Sequence, residues 1–295
     1  MSDIHLIVGA TGLLGGAICH LLAEGGGNVR ALVRSTADPE KLVQLKKLGA
    51  EFAEGDLKDG ASLDRACRAA SAVISTASST LSRQAGDSIQ SVDLEGQLRL
   101  VEAACNAGVR RFVFVSFRHN QAIQSPLAKA KQMVEQRLKE SGLDYTVLQA
   151  SYFMEVWLSP MLGFDYENAK ARIYGAGQNQ LSWISFHDVA RFVTAILAKP
   201  ATQKAVIEAG GPEPLSPLEV VKIFEKTSER KFEVEHVPEE ALGTQFASAT
   251  DPMGKSFAAL MLQYAAGDAI DMRRTLEVLP VRLTSVADYA KRVLA

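Results

Sequence analysis

Three equally spaced glycines near the start of the chain have the chemistry to hold a phosphate. Gly9, Gly12 and Gly15 stand between an apolar run of strand length at 4–8 and apolar residues at helical spacing. In such a turn the first glycine permits the bend, the second lets the backbone approach a pyrophosphate, and the third packs helix against strand. Free N–H groups and the helix dipole face the phosphates. The context favours a nucleotide-binding turn over a structural one, although G-x-x-G-x-x-G is not the commonest spacing.

A basic residue at the end of the second predicted strand, 29–34, indicates which dinucleotide fits. About 20 residues after the glycines, an Asp or Glu would hydrogen-bond a ribose 2′-hydroxyl, whereas an Arg accommodates a 2′-phosphate. Here Arg34 holds that position, followed by Ser35 and Thr36. A guanidinium can meet a phosphate through two parallel hydrogen bonds and can stack on adenine. NADP is therefore favoured over NAD. The alternative is an arginine that only solvates the strand end, with Asp38 near enough to compete for it.

Later strands carry further polar residues at their carboxyl ends, where ligands of doubly wound sheets collect. Asp56 could place a carboxylate beside an adenine, or serve as a plain turn residue. The small polar residues at 75–80 would let a flat cofactor lie close to the backbone, or form an ordinary loop. The apolar strand at 112–115 leads to Ser116 and His119.

Two further titratable side chains in this part of the chain are candidates for the site. His119 is a candidate acid or base, or a loop histidine in solvent. Lys131 lies on a predicted helix at 125–138, one step off its apolar stripe and four residues before Glu135. The alternative for Lys131 is a surface ion pair with Glu135, which would contribute only a few tenths of a kcal/mol.

The elements that would position these residues alternate between strand and helix up to residue 150. Strands are predicted at 4–8, 29–34, 51–57, 72–76, 112–115 and 145–150, and helices from 14 and at 39–48, 62–70, 92–107 and 125–138. The pattern predicts an α/β fold, a doubly wound parallel Rossmann sheet with helices on both faces. We expect an NAD(P)-binding domain at 1–150 and a smaller, interleaved α/β substrate-binding region at 151–295.

The second region has a less regular pattern, and the stretch 243–267 is uninformative. It contains a turn at 175–179, a strand at 183–186, a helix at 188–198 with Asp188 as its N-cap, a helix after the capping box of Ser216 and Glu219, an edge strand at 232–237, and a helical tail from 239.

Composition limits the class of protein. The 295 residues are 47% hydrophobic and 22% charged with a formal net charge of −2, which is typical of a soluble globular protein and does not favour nucleic acid. Cys19, Cys67 and Cys105 form no C-x-x-C pair, so neither a local zinc site nor a disulfide framework is expected, and all three are predicted to be buried in helices. No apolar stretch reaches the ~20 residues of a membrane span. We expect no metal, no membrane contact and a cytoplasmic location.

The order of these pieces resembles the atypical short-chain dehydrogenase/reductase superfamily. Within it, the chain is similar to the NmrA-like group, which includes isoflavone-reductase-like and quinone-reductase-like enzymes. The resemblance covers essentially the whole chain. It rests on residues 9–15, 33–34, 55–57, 112–116, Lys131 with Glu135, 141–148, 152–155, 183–185 and 188–190.

The resemblance implies a catalytic role for Lys131. The superfamily uses Tyr-x-x-x-Lys on one helix, where the lysine holds the nicotinamide ribose and lowers the pKa of the tyrosine. Leu127 stands at the tyrosine position, as in NmrA-like proteins, some of which are reductases and others NADP-binding regulators. For an enzyme, the resemblance implies hydride delivery to a quinone, enone or carbonyl carbon. Lys131, Tyr152, Ser116 or His119 would then supply a proton or hydrogen bond.

The expected ligands follow from the same resemblance. Tyr152 and Phe153 should flank the nicotinamide, and the aromatic segment 152–164 is a candidate wall for a small aromatic or quinone-like substrate. The alternatives are a non-catalytic NADP(H)-binding redox sensor acting through a protein partner and, third, a sugar-nucleotide epimerase, which also needs the missing tyrosine. A homodimer is possible. The predicted cofactor contacts are Gly9, Thr11, Gly12, Leu13, Leu14, Gly15, Arg34, Ser35, Asp56, Leu57, Thr76, Ala77, Ser78, Ser116, Lys131, Tyr152 and Phe153.

Overall fold

The computed structural model describes residues 3–82, 84–120 and 122–295. The strands are β1 (Ile4–Val8), β2 (Asn28–Val33), β3 (Glu51–Glu54), β4 (Ala70–Ser75), β5 (Arg111–Phe117), β6 (Asp144–Ala150), β7 (Tyr152–Phe153), β8 (Phe164–Asp165), β9 (Lys170–Tyr174), β10 (Leu181–Ile184), β11 (Ala205–Ala209), β12 (Pro214–Leu215) and β13 (Glu233–Val237).

The helices include one π-helical segment, Ile89–Gly96, and short 3₁₀ turns at Pro160–Leu162 and Pro200–Thr202. The α-helices are α1 (Leu13–Glu24), α2 (Pro39–Lys47), α3 (Gly60–Cys67), α4 (Gln97–Asn106), α5 (Pro126–Glu140), α6 (Met154–Trp157), α7 (Phe186–Ala198), α8 (Pro217–Ser228), α9 (Glu239–Ser248), α10 (Pro252–Ala266), α11 (Arg273–Val278) and α12 (Val286–Leu294). None of the helices in the described ranges is long and apolar enough to cross a membrane.

A seven-stranded sheet forms the centre of the fold, in the order β11-β6-β5-β4-β1-β2-β3. Strand β1 pairs in parallel with both β2 and β4, so the strand order changes direction between β1 and β4. In a doubly wound sheet this switch point is where ligands bind, beyond the carboxyl ends of the strands. The predicted α/β Rossmann fold is confirmed. The edge strand β11 was not predicted, because its five residues show no clear alternation, although a glycine- and proline-rich stretch at 210–214 follows it directly.

The first compact unit comprises Met1–Ser116, Leu127–Gln149 and Ala190–Ile207. Its core joins the sheet to the helices through fully buried side chains such as Phe112 and Phe114 of β5 and Leu138 of α5. Phe112 and Phe114 alternate with Val113 and Val115, which are also buried, so both faces of β5 are covered. This is the burial expected of a central parallel strand.

The second compact unit comprises Phe117–Pro126, Ala150–Val189 and Glu208–Ala295. It contains two three-stranded sheets, β12-β10-β7 and β13-β9-β8. Its core is rich in aromatic side chains, including the fully buried Trp183 and Phe224. The predicted capping box of Ser216 and Glu219 is present at the start of α8. The division at residue 150 that the sequence favours stays a proposal about domain organisation.

Several predicted boundaries are wrong. Helix α3 begins at Gly60 and ends at Cys67, and Ala70 already belongs to β4. The helix cannot run on to Ala70 because Ala69 has a left-handed backbone with φ of 57°. The segment predicted as one helix at 92–107 begins earlier and as a π-helix, with α4 starting only at Gln97. A hydrophobic pattern does not distinguish these two helix types over so short a stretch.

The start of α7 also differs from the prediction. Phe186 is the first residue of the helix and not the end of a strand. Asp188 is therefore within the first turn and is not an N-cap. Its carboxylate instead accepts hydrogen bonds from the backbone N–H of Thr284, at 2.7 Å, and from the Thr284 hydroxyl, at 3.0 Å. This long-range link could not be inferred from local helix signals.

The three cysteines lie in helices, as predicted. Cys19 and Cys67 are fully buried, and burial is the main cause that raises the pKa of each thiol to about 12. Cys105 was also expected to be buried but is only half-buried, and its thiol donates to the carbonyl oxygen of Ser141 over 3.6 Å. Burial is the main cause of a raised pKa at Cys105 as well.

The glycine turn between β1 and α1 depends on a backbone contact that no other residue permits. Gly9 has φ of 90°, and its carbonyl oxygen accepts the N–H of Gly12 at 3.0 Å. A Cβ on Gly15 would lie 2.1 Å from that same Gly9 oxygen. By contrast, a Cβ on Gly16 would meet Ala10 at 3.5 Å, an ordinary contact.

We expect Gly15→Ala to lower the free energy of unfolding by at least about 2 kcal/mol, because the backbone must move to admit the methyl group. The matched change Gly16→Ala should be neutral or stabilising by about 0.5–1 kcal/mol, since alanine is the better helix former. Urea unfolding followed by circular dichroism measures both. Equal stabilities for the two variants would contradict the close approach of Gly9 and Gly15.

Candidate functional site

The N-terminus of α1 offers unused hydrogen-bond donors beside the glycine turn. Gly12 is the N-cap and contributes no side-chain cap, so N–H groups of the first turn stay available to an anion. Leu13 is 51% exposed, whereas the side chain of Leu14 is buried. Since a Cβ on Gly9 would lie 2.9 Å from the backbone nitrogen of Ala77, the turn lies against the loop after β4. The arrangement fits a pyrophosphate cradle.

The loop after β4 is held close to the turn by Thr76. Its backbone N–H and its hydroxyl both donate to the carbonyl oxygen of Val8, at 2.9 Å and 3.2 Å. Ser78 and Thr80 share a hydrogen bond of 3.2 Å between their hydroxyl oxygens. The structure therefore brings the predicted contacts at 76–78 and the glycine turn together. Leu57 is different, because its side chain is buried in the core.

Arg34 lies in a cluster of two cations and two carboxylates. Its Nη1 donates to Oδ2 of Asp87 at 2.7 Å, and its Nε is 3.4 Å from Oδ2 of Asp56. Lys58 reaches the same carboxylates, with Nζ 2.5 Å from Oδ1 of Asp87 and 3.6 Å from Oδ2 of Asp56. Asp38, the competitor suggested by the sequence, instead caps α2 by accepting the N–H of Glu40. The alternative in which Asp38 pairs with Arg34 is wrong.

Asp87 is the most enclosed member of this cluster, with a side chain only 2% exposed. Desolvation by burial alone would raise its pKa. Hydrogen bonds from Lys58, Ser82 and Arg34 outweigh that effect, so the pKa of Asp87 lies below its usual value. Sequence reasoning missed both Lys58 and Asp87. Lys58 directly follows the Gly-Asp-Leu segment and was available as a signal, whereas Asp87 has no local signal.

Lys131 is buried in the first unit, with 5% of its surface exposed. Its Nζ donates to the carbonyl oxygen of Val115 at 3.4 Å and lies 4.7 Å from the centre of the Phe114 ring. Oδ1 of Asp93 is 3.9 Å from the same Nζ. Burial lowers the pKa of Lys131, while the charges of Asp93 and Glu135 act to raise it. The surface ion-pair interpretation of Lys131 and Glu135 is wrong, because both side chains are buried.

Asp93 is a fully buried carboxylate that sequence reasoning did not single out. Its Oδ2 accepts the backbone N–H of Ser79 at 3.0 Å and the Ser79 hydroxyl at 2.5 Å, while its Oδ1 makes no hydrogen bond to any described residue. Asp93 lies in the π-helical segment, a rare geometry that is frequent at functional sites. Through Asp93, the loop after β4 and the ammonium of Lys131 are connected.

Ser116 lies inside β5, and its hydroxyl donates to Oε1 of Glu135 at 2.6 Å. Glu135 also accepts from the side-chain amide of Gln149, at 3.1 Å and 3.3 Å to its two oxygens. The hydroxyl proton of Ser116 is therefore donated to a carboxylate. Toward a ligand, the Ser116 oxygen can act as a hydrogen-bond acceptor. The structure brings Ser116 and Lys131 to one buried polar group of the first unit.

Tyr152 belongs to an aromatic cluster in the second unit, together with Trp157 and Tyr264. Its ring packs edge-on against Trp157, with centroids 4.8 Å apart, and Trp157 stacks on Tyr264 at 5.3 Å. The Tyr152 hydroxyl is buried and makes no hydrogen bond to any described residue. Burial is the main cause that raises its pKa far above the usual value, with smaller contributions from Asp268 and Tyr264. Tyr152 is therefore a neutral phenol with an unused donor.

The other residues predicted for the site occupy less enclosed positions. Phe153 follows Tyr152 in β7 and is half-buried. His119, also in the second unit, is half-buried and packs edge-on against Phe117 with ring centroids 5.1 Å apart. Ser35 is exposed in the turn after β2, and Thr11 is half-buried in the glycine turn. Their predicted roles stay predictions.

Comparison with known proteins assigns the chain to a family. Residues 1–290 match the model of the NmrA-like family, and the chain belongs to that family. It is 32% identical over 239 residues to the photosystem II assembly factor Ycf39 of Guillardia theta, covering 79% of this chain and 73% of that protein. It is 29% identical over 313 residues to the isoflavone reductase homolog IRL of Zea mays, covering 98% and 97%. The relatives thus include both reductase-like proteins and an assembly factor.

Solved structures share the fold over the whole chain. The NADPH-dependent quinone oxidoreductase of Escherichia coli superposes with a TM-score of 0.79 at 19% identity, covering 99% of this chain and 100% of that one. The quinone oxidoreductase has also been solved in complex with NADPH.

The pKa of Lys131 depends on its burial and on the charges of Asp93 and Glu135, so it reports on these contacts. We expect Asp93→Asn to lower the pKa of Lys131 further, because Asp93 contributes most among the charges that raise it. The control is Glu95→Gln, which removes a more exposed charge of the same π-helical segment. A titration of the Lys131 Cε resonance by ¹³C NMR measures the effect. A pKa that is unchanged or raised in Asp93→Asn would contradict the assigned contact.

The same shift has a consequence for stability. The folded pKa of Lys131 is below the unfolded value of 10.5, so the unfolded chain holds the proton more tightly. The contribution of Lys131 to the free energy of unfolding therefore rises with pH between these two values. Asp93→Asn should widen that pH range.

Proposed function

We propose that this protein is an NADPH-dependent reductase of a small quinone-like, enone or carbonyl substrate. The observation that carries the proposal is the buried Lys131, placed with Asp93 and Ser116 in the unit that also holds the glycine turn. Burial of an ammonium is unfavourable, and buried charged groups of this kind are concentrated at sites that bind ligands or perform catalysis. The reductase-like relatives support the same class of reaction.

The residues of the first unit suit the parts of NADPH. The glycine turn and the N-terminus of α1 would hold the pyrophosphate through backbone N–H groups. Arg34 and Lys58 would bind the 2′-phosphate, Arg34 through its planar fork and Lys58 as a point charge. When bound, NADPH supplies the hydride. Arg34 after β2 and Lys58 after β3 favour NADPH over NADH, because only NADPH carries a 2′-phosphate.

Lys131 would bind the nicotinamide ribose. Its ammonium has three N–H groups, of which one is directed at Val115, so others remain for ribose hydroxyls. The carboxylate of Asp93 keeps a positive charge at Lys131 favourable despite burial. A charged ammonium can also stabilise negative charge on a substrate oxygen or donate a proton to it.

The substrate class follows from the aromatic cluster of the second unit. Tyr152 offers a phenol proton that no described residue accepts, in a group of side chains suited to contact with a flat ring. Such a donor would bind a carbonyl or quinone oxygen. The isoflavone reductase homolog of maize and the bacterial quinone oxidoreductase carry names consistent with flat substrates of this kind.

A second candidate is an NADP(H)-binding regulator that acts through a protein partner. Leu127, at the position of the superfamily tyrosine, is 3% exposed and packed in the core, so no phenol precedes Lys131 on α5. The similarity to the assembly factor Ycf39 favours the same interpretation. In this case Lys131 would contribute to cofactor affinity and not to turnover.

Arg34→Ala should weaken NADPH binding on the order of tenfold or more while leaving NADH within about twofold, since only NADPH carries the 2′-phosphate. Titration of nicotinamide fluorescence measures both affinities. Arg110→Ala is the control, because Arg110 is an exposed arginine that pairs with Asp3 before β1. Equal losses for NADPH and NADH would remove Arg34 from the phosphate site.

Lys131→Met should lower the rate of NADPH oxidation with a panel of quinones and enones by on the order of 10²-fold or more. The matched control is Lys129→Met, which changes an exposed lysine of the same helix. Absorbance at the reduced nicotinamide band follows turnover, and circular dichroism checks the fold. Turnover that survives in Lys131→Met would reject the role of the lysine. NADPH binding without turnover in the parent protein would instead support the regulator.

A further inference from the structure

The carboxylate of Asp87 occupies the donors that a phosphate would use. It accepts from a guanidinium, an ammonium and a hydroxyl, those of Arg34, Lys58 and Ser82, at 2.7 Å, 2.5 Å and 2.5 Å. Charged and hydroxyl donors converging on one anion are typical of phosphate recognition. Asp87 is nearly inaccessible in this position, with 2% of its side chain exposed. Its anion is thus held by the same two cations that would bind a 2′-phosphate.

We propose that Asp87 is an internal competitor of the cofactor's 2′-phosphate and thereby determines how strongly the protein prefers NADPH to NADH. The proposal rests on the proposed function, because it assumes that Arg34 and Lys58 form the 2′-phosphate site. It adds that the site is closed by a carboxylate of the chain itself before the cofactor binds. NADPH must displace that carboxylate, whereas NADH has no 2′-phosphate and need not do so.

The charges of the cluster explain why displacement is required. The formal charges of Arg34 and Lys58 are balanced by those of Asp56 and Asp87. A 2′-phosphate brings a charge of about −1.5 to −2, as other phosphate monoesters do near neutral pH. Added to a balanced cluster, it would meet like charges at short range, which is unfavourable. Departure of Asp87 releases both cations and removes one of the repelling charges.

Asp87 is better placed than Asp56 for this role. The oxygen of Asp56 is 3.4 Å from Arg34 and 3.6 Å from Lys58, both longer than the corresponding distances of Asp87. The other oxygen of Asp56 accepts the backbone N–H of Lys58 at 2.8 Å, so this carboxylate is part of the turn itself. Every hydrogen bond described for the carboxylate of Asp87 comes from a side-chain donor. It can therefore exchange with another anion without breaking a backbone hydrogen bond of its own carboxylate.

Asp87→Asn tests the proposal with little change in side-chain size. The variant should bind NADPH on the order of tenfold more tightly and NADH within about twofold of the parent, because only the 2′-phosphate competes with the carboxylate. Fluorescence titration with each reduced nucleotide measures the two affinities. Calorimetric titrations with 2′,5′-ADP and 5′-AMP test the same point without the nicotinamide. Asp87→Asn should raise the affinity for 2′,5′-ADP and leave that for 5′-AMP nearly unchanged. Asp87→Ser removes the charge and also shortens the side chain, so it should change the affinities in the same direction.

Asp3→Asn is the control for loss of a negative charge, because Asp3 forms an exposed ion pair with Arg110 before β1. It should change neither affinity. A loss of NADPH affinity in Asp87→Asn, or equal changes for NADPH and NADH, would overturn the proposal and assign Asp87 a positioning role. The proposal is also overturned if Arg34→Ala changes the affinities for NADPH and NADH unequally but Asp87→Asn does not. In that case the proposed function is still supported. If neither the parent nor Asp87→Asn binds NADPH, both proposals fail.

Discussion

The polar interior of the first unit depends on the attraction between the buried ammonium of Lys131 and the carboxylates near it. A charge in this position requires nearby anions, and Asp93 and Glu135 supply them from two different helical segments. Glu135 in turn engages Ser116, and Asp93 engages Ser79. Removal of Asp93 would leave the ammonium of Lys131 without the carboxylate that lies 3.9 Å from it, whereas removal of Ser116 would leave Glu135 with the hydrogen bonds from Gln149. The group is therefore a connected network and not a set of independent contacts.

Much of the fold follows from local sequence signals. The glycine triplet marks a strand-to-helix turn because a Cβ on Gly15 has no space beside the backbone of Gly9. The capping box of Ser216 and Glu219 marks the start of α8 for a similarly local reason. The short edge strand β11 shows no clear alternation. The π-helical segment begins at a local capping box of Ser88 and Ser91, but no local signal marks it as a π-helix instead of an α-helix. Their geometry depends on tertiary contacts with distant parts of the chain, which periodicity does not contain.

The candidate site shows the same division between local and long-range information. Arg34 and Lys131 could be chosen from their positions after a strand and on a helix. Asp87 and Asp93 could not, because Asp87 lies 53 residues from Arg34 and 29 from Lys58, and Asp93 is similarly distant from Lys131. Asp38 is only four residues from Arg34 and was the obvious competitor, yet it caps a helix instead. Nearness in sequence is a poor guide to which carboxylate neutralises a given cation.

The state of the cysteines limits how this protein could sense oxidants. A thiol is oxidised chiefly through its thiolate form, and the pKa values of about 12 at Cys19 and Cys67 keep both thiols protonated and enclosed. Cys105 is more accessible, but its pKa is also raised. Oxidation of these three cysteines is therefore an unfavourable route for a response of this chain to the redox state of the cell. Peroxide itself would leave the chain largely unmodified at these positions.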